Sequence, residues 1–165
     1  MVREGDLPTV GAAPETPYIA GMFDALLRRL TGPAPHLPDP DSRLALAALL
    51  VRVARTDGSY SDAETARIDR VLAARNGLSP FAAAALRAEA EVLESQAPDT
   101  VRFTRALKEA VTLDDRAGLI EAMWSVALAD GARGADEDQL MRMVTSLLGL
   151  SDVDSAQARQ RAART

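Results

Sequence analysis

The chain has 165 residues, with 24 Asp and Glu against 19 Lys and Arg, no Cys and a single His. The absence of Cys excludes disulfides, thiolate metal sites and cysteine nucleophiles. His36 stands alone in the Pro-rich stretch GPAPHLPDP, so a His-based zinc site and a Ser-His-Asp triad lack their parts. A net charge of −5 argues against a nucleic-acid binder, which meets phosphates with a basic face.

Hydrophobic residues make up 47% of the chain and aromatics only 4%. Ala, Leu, Arg and Glu dominate, and β-branched runs are few. That composition predicts an all-α fold, and the apolar periodicities and caps along the chain add up to a single compact bundle of about seven to eight helices. No stretch is long and apolar enough to span a bilayer.

Residues 1–17 carry Pro, Gly and acidic residues without an apolar run, and read as a disordered leader rather than a signal peptide. Met22, just beyond it, is a candidate start. Residues 18–31 place Ile19, Met22, Phe23, Leu26, Leu27 and Leu30 on one helical stripe. The expectation is an amphipathic helix docked on the core, with peripheral membrane contact as the alternative. Residues 32–41 read as a Pro-rich linker.

The main domain is expected over residues 42–163. Asp41 or Asp39 caps a first helix, 42–56, which is apolar almost all round and so belongs in the middle of the domain. It stops at Asp57-Gly58, where Gly suits a left-handed residue. Ser61 and Glu64 form a capping box that opens a helix lined by Ile68, Val71 and Leu72 and stopped at Asn76-Gly77. Ser79-Pro80 starts the next helix, with Phe81, Ala84, Ala85, Ala88, Val92 and Leu93 as its apolar set. Val101, Phe103, Leu107 and Val111 mark a helix near 99–112. Thr112 or Asp114 caps another, whose Met123 and Trp124 lie at core spacing. That helix ends at Asp130-Gly131. Residues 135–148 follow, closed by Gly149. Ser151 and Asp154 cap a last helix whose polar ending, QARQRAART, is expected to fray.

A shift of 73 residues superposes two parts of the chain. Leu46 falls on Leu119, Val53 on Val126, Ala54 on Ala127, Asp57-Gly58 on Asp130-Gly131, Glu64 on Glu137 and Val71 on Val144. With one residue deleted, Gly77-Leu78-Ser79 falls on Gly149-Leu150-Ser151. The pattern is an internal helical-hairpin duplication. Two copies about a pseudo-twofold axis would turn both Asp-Gly turns toward one region of the surface.

Helix capping accounts for most of the acidic residues at these turns. Asp57 and Asp130 resist that account, because each lies at the negative end of a helix dipole, where a carboxylate costs about 0.3–1 kcal/mol. An Asx-turn would compensate, and so would a cation. The spacing is not that of an EF-hand: counting from Asp57, positions 6 and 12 are Asp62 and Ile68, and from Asp130 they are Ala135 and Met141. Asp57, Glu64, Asp130 and Glu137 are the candidate ligands of a divalent cation, a hard ion suited to oxygen donors.

The stretches LVRVARTDGSYSDAETARIDRVL and WSVALADGARGADEDQLMRMVTSLLGLS, with the helices between them, resemble the tellurite-resistance TerB-like family over roughly residues 42–151. The resemblance implies a bundle of about seven helices with an acidic face, a divalent-metal role in the bacterial cytoplasm, and links to stress resistance or membrane partners. The similar N-terminal domain of a membrane-anchored DnaJ-like co-chaperone implies that the fold also serves as an interaction module. The chain departs from the family pattern at Thr56, where Ala is preferred, and at Gly134-Ala135 in place of Ser61-Asp62, so the second turn has fewer side-chain oxygens.

The expected function is therefore a non-enzymatic cytoplasmic module that binds a divalent cation at paired acidic turns. The alternative is a protein-interaction scaffold whose acidic turns only cap helices. With no Cys, no His outside the linker and no phosphate-cradling glycine loop, catalysis is not expected.

Overall fold

The structure is a computed structural model that describes residues 40–96, 99–131 and 134–165. The expectations for the leader, the amphipathic stripe and most of the linker lie outside the described residues. Among the described residues there are seven helices and no strand: α1 Ser42–Arg55, α2 Asp62–Asn76, α3 Pro80–Gln96, α4 Thr100–Ala110, α5 Leu113–Ala127, α6 Ala135–Leu147 and α7 Asp152–Ala162.

The local signals at the helix ends act as their chemistry requires. Asp41 Oδ1 accepts from Leu44 N at 2.8 Å. The Ser61 hydroxyl accepts from Glu64 N at 3.2 Å while Glu64 Oε2 accepts from Ser61 N at 2.8 Å, closing the capping box. Ser151 and Asp154 close a second one. At the head of α5, Thr112 is the N-cap, its hydroxyl bonded to Asp115 Oδ2 at 2.8 Å rather than to a backbone N–H.

Helix α1 is the axis of the core. Ala45 through Val51, Val53 and Ala54 are buried, so the helix is covered on nearly every side, by α3, α4, α5 and α2 and at its end by α6. Its many alanines let those neighbours approach closely. Ile68 and Leu72 of α2, Phe103 and Leu107 of α4, Met123 and Trp124 of α5, and Met141 and Val144 of α6 complete the cluster.

Helix α7 packs on α5 and α6. Trp124 Nε1 donates to Ser155 Oγ at 3.0 Å, and the Arg159 guanidinium lies 5.5 Å from the Trp124 ring centroid. The chain's polar ending, expected to fray, is helical as far as Ala162. Ala158 and Ala162 are buried, and Arg161 Nε bonds Glu121 Oε2 at 2.7 Å. Small alanines on the inner face suffice to seat a helix whose other faces are polar.

Helix α3 turns a different face inward from the one its apolar residues predict. Of its expected apolar set, Phe81, Ala85, Ala88 and Val92 face solvent, Phe81 at 85% exposure. The inward seam is Ala83, Leu86, Ala90 and Leu93. Alanine all round the helix leaves no stripe to fix its rotation. The polar side chains fix it instead: Arg87 Nε bonds Asp69 Oδ1 of α2 at 2.6 Å, and Glu94 Oε2 accepts from Arg55 Nη1 of α1 at 2.9 Å.

The duplication is visible in three dimensions. Leu46 and Leu119, Val53 and Val126, Ala54 and Ala127, and Glu64 and Glu137 are buried in pairs. The two hairpins also end alike, with Leu78 N bonded to Ala73 O and Leu150 N to Thr145 O, each at 3.0 Å.

Candidate carboxylate site at the paired turns

Both Asp-Gly turns close with the same backbone bond. Gly58 N donates to Arg55 O at 3.0 Å and Gly131 N to Leu128 O at 3.2 Å. Gly58 and Gly131 have φ of 79° and 74°, a left-handed conformation in which a side chain is strained. The next helix then starts back toward the core and delivers a glutamate inward. Glu64 is fully buried and Glu137 nearly so.

The burial of these two glutamates exceeds what capping asks of them. One oxygen of each does the capping work: Glu64 Oε2 accepts from both the N–H and the hydroxyl of Ser61, each at 2.8 Å, and Glu137 Oε2 accepts from Gly134 N at 3.2 Å. Gly134 has no hydroxyl to return the bond, so the second box is only half a box. Glu64 Oε1 is buried and has no hydrogen-bond partner.

The duplication brings the four expected residues into one electrostatic neighbourhood. Burial pushes the Glu64 carboxyl up; the Ser61 hydrogen bonds oppose this, and the charges of Asp130 and Asp57 add to the rise. Burial likewise raises Glu137, opposed by the Gly134 bond and reinforced by Asp57, Asp130 and Glu64. The glutamate of each turn thus feels the aspartate of the other. Yet no group of three His, Cys, Asp or Glu among the described residues stands ready to hold a metal ion as it lies. The Asp57 carboxylate is engaged in its own turn, where Oδ1 accepts from Ser59 N at 2.8 Å and from the Ser59 hydroxyl at 2.9 Å. That Asx-turn supplies the compensation the helix dipole demands of Asp57. Asp130 is half-buried and is held by an interaction of its own.

Composition and spacing gave no hint of Tyr60. Its hydroxyl donates to Glu91 Oε1 at 2.7 Å, and Arg55 stacks 5.3 Å from its ring centroid. Arg87 Nη1 also donates to Glu91 Oε1, at 2.5 Å. Burial works against the Glu91 charge, but hydrogen bonds from Tyr60 and Arg87 outweigh it and hold its carboxyl below the usual range. Tyr60 itself is raised, by burial first and then by Glu91. The first turn is thereby fastened to α3. A groove of about 490 Å³ lies between the end of α1, the end of α3 and the first half of α6, lined by Arg52, Arg55, Thr56, Glu94, Asp136 and Leu140.

The family model for the tellurite resistance protein TerB matches residues 43–160. The chain belongs to the TerB family. The match to TerB covers all seven helices but for the first residue of α1 and the last two of α7, both Asp-Gly turns and all four carboxylates. No curated protein and no solved structure shows a significant match to the chain. Among the described residues of this TerB chain, no helix is long and apolar enough to cross a membrane.

Proposed function

We propose that this TerB domain is a non-enzymatic, cytoplasmic module of a tellurite-resistance-type system that binds a divalent cation between its two acidic turns. The observation that carries the reading is Glu64 Oε1, a buried carboxylate oxygen with no partner in the field of Asp57 and Asp130. A capping glutamate does its work at the surface, so capping explains the bonds of Glu64 and leaves its burial unexplained. A buried, unpaired polar group beside like charges is unfavourable. A hard cation with oxygen ligands removes both penalties.

The oxygen chemistry of the donor set suits such an ion, and binding would draw the four carboxylates together from where they lie. Glu64 and Glu137 would hold it from the core side, and Asp57 and Asp130 from the turns, with Asp57 exchanging its Ser59 bonds for the ion and water completing the shell. The cation would neutralise the buried carboxylates and tie the two hairpins together.

Titration calorimetry with Ca²⁺, Mg²⁺, Mn²⁺ and Zn²⁺ tests this. The expected result is one ion per chain for at least one metal, with a Kd of about 10 µM to 1 mM, as befits a site of few protein ligands. Binding disappears when Asp57→Asn and Asp130→Asn are combined. The turn itself survives the first of these changes, because the carboxamide oxygen still accepts from Ser59 N. Absence of heat with all four ions overturns the proposal.

The second reading is a protein-interaction scaffold. It is favoured by the groove between α1, α3 and α6 and by the caps that Glu64 and Glu137 provide. In that case the Asp→Asn pair leaves partner recovery in a pull-down unchanged and alters stability alone.

A further inference from the structure

Helices α2 and α5 enclose a groove of about 300 Å³ whose walls include Arg67 and Arg75 of α2 and Gly118 and Glu121 of α5. None of the four carboxylates of the acidic turns lines it. Two guanidiniums on one groove stand out in a chain of net charge −5. Between them on the same stripe of α2 lie Val71 and Ala74, which are apolar.

Neither arginine is explained by a partner within the fold. Among the described residues, no Asp or Glu pairs with Arg67 or Arg75. The Arg67 Nε is buried and has no acceptor, an unfavourable state for a donor on a charged group. Arg75 stands in the last turn of α2, where the helix dipole favours a cation. That role asks for no contact with α5, yet Arg75 crosses to it: a Cβ on Gly118 would stand 3.3 Å from Arg75 Nη1. Gly118 lies in the interior of α5, where glycine is the poorest helix former after proline. Its missing side chain keeps a place open for the guanidinium.

The other polar groups of the groove leave these donors uncontested. Ser125 and Thr165 spend their hydroxyl protons on the carbonyls of Ala122 and Ala162, at 2.7 and 3.0 Å. Glu121, the one acidic side chain among the described residues that line the groove, is held by Arg161 Nε at 2.7 Å. The donors left over are guanidinium N–H groups, whose planar forks match the paired oxygens of a carboxylate or a phosphate.

We propose that the groove between α2 and α5 binds a small organic anion. Arg67 and Arg75 hold its phosphate or carboxylate group, and its apolar body lies on Val71, Ala74 and Ala122. The two arginines start about 12 Å apart along α2, within the combined reach of their side chains. A volume at the lower end of the range for ligand sites calls for a small ligand. Arg75 is exposed, so the site is open and its dissociation constant is on the order of 1 mM.

Proton–nitrogen NMR of the full chain, titrated to about 20 mM with phenyl phosphate, benzoate or inorganic phosphate, tests this. Phenyl phosphate or benzoate shifts the Arg67 and Arg75 Nε–H signals and the Gly118 amide saturably, and the tighter of the two identifies the oxyanion. Inorganic phosphate, with no body to lay on the floor, binds about fivefold or more weakly than phenyl phosphate. Arg67→Gln and Arg75→Gln each weaken binding by at least about fivefold and keep the helical circular dichroism, since neither guanidinium pairs with an acidic side chain of the fold. Gly118→Leu fills the floor and abolishes binding. Absence of saturable shifts with all three compounds overturns the proposal, and so does binding unchanged by both Arg variants. Shifts centred instead on the exposed Arg105 and Arg142 overturn it too, as the mark of unspecific charge attraction. Equal binding of phenyl phosphate and inorganic phosphate overturns the organic body.

Discussion

Glu64→Gln isolates the electrostatic cost of burying a carboxylate between the two turns. The carboxamide keeps the shape of the side chain, and its oxygen still accepts from Ser61 N, so the cap survives. The charge is removed, and an N–H donor takes the place of the partnerless oxygen. In the folded chain Glu64 is raised by burial and by Asp130 and Asp57, and Glu137 by burial and by the other three carboxylates. From the unfolded glutamate pKa of about 4.3 up to those raised values, the folded state holds protons that the unfolded state has lost. Stability is thus fully present below the unfolded pKa and falls as pH rises through the window. Each group contributes a slope of at most about 1.4 kcal/mol per pH unit, so two contribute at most about 2.8. Glu64→Gln removes one proton from this exchange and one charge from beside Glu137, and the slope falls by half or slightly more. Glu91 and Asp154 are lowered; their stabilisation is present above the unfolded pKa and lost as pH falls, which places them outside the window. Urea unfolding followed by circular dichroism between about pH 4.5 and 8, with a chelator present, measures both slopes. Equal slopes in the two proteins, or wild-type stability that climbs through the window, would refute the electrostatic account of these turns.

Three further outcomes are expected. A divalent cation at a hundred times its Kd stabilises the wild type by about 2.7 kcal/mol at pH 7 and leaves the Asp57→Asn, Asp130→Asn chain unchanged in thermal unfolding. Tyr60→Phe costs about 1 kcal/mol in urea unfolding, one hydrogen bond to a part-exposed carboxylate, because Glu91 keeps Arg87. A cost above about 3 kcal/mol would mean that the ring, and not the hydroxyl, holds the turn to α3. Gly131→Ala costs about 1–2 kcal/mol, all of it conformational, since no atom lies within 4 Å of the added carbon. A neutral result there would show that the second turn adopts another backbone.

What was legible in the sequence is what is encoded locally. Asp41, Ser61 with Glu64, and Ser151 with Asp154 announce helix starts because their partners lie three residues away. The all-round apolar α1 announces a central helix, and the 73-residue repeat announces that Glu64 and Glu137 occupy equivalent places. The burial of both glutamates was not legible, since a capping box looks the same at the surface. Nor was the rotation of α3, which is set by Arg87 and Glu94 through partners 18 and 39 residues away. Arg116 is the extreme case. It donates to the carbonyls of Lys108, Val111 and Leu148, at 3.0, 3.2 and 3.0 Å, and so caps the C-terminal ends of α4 and α6 at once. No spacing rule joins those four residues.

The seating of Trp124 gives the molecule a built-in optical reporter with a narrow field of view. It is the single Trp of the chain, held between α5 and α7 by the Ser155 bond and the Arg159 guanidinium. Its emission therefore registers the release of α7 from α5 and is blind to events confined to the first acidic turn. If emission shifts at a lower denaturant concentration than the helical signal is lost, the C-terminal helix leaves first and the duplicated hairpins stand without it.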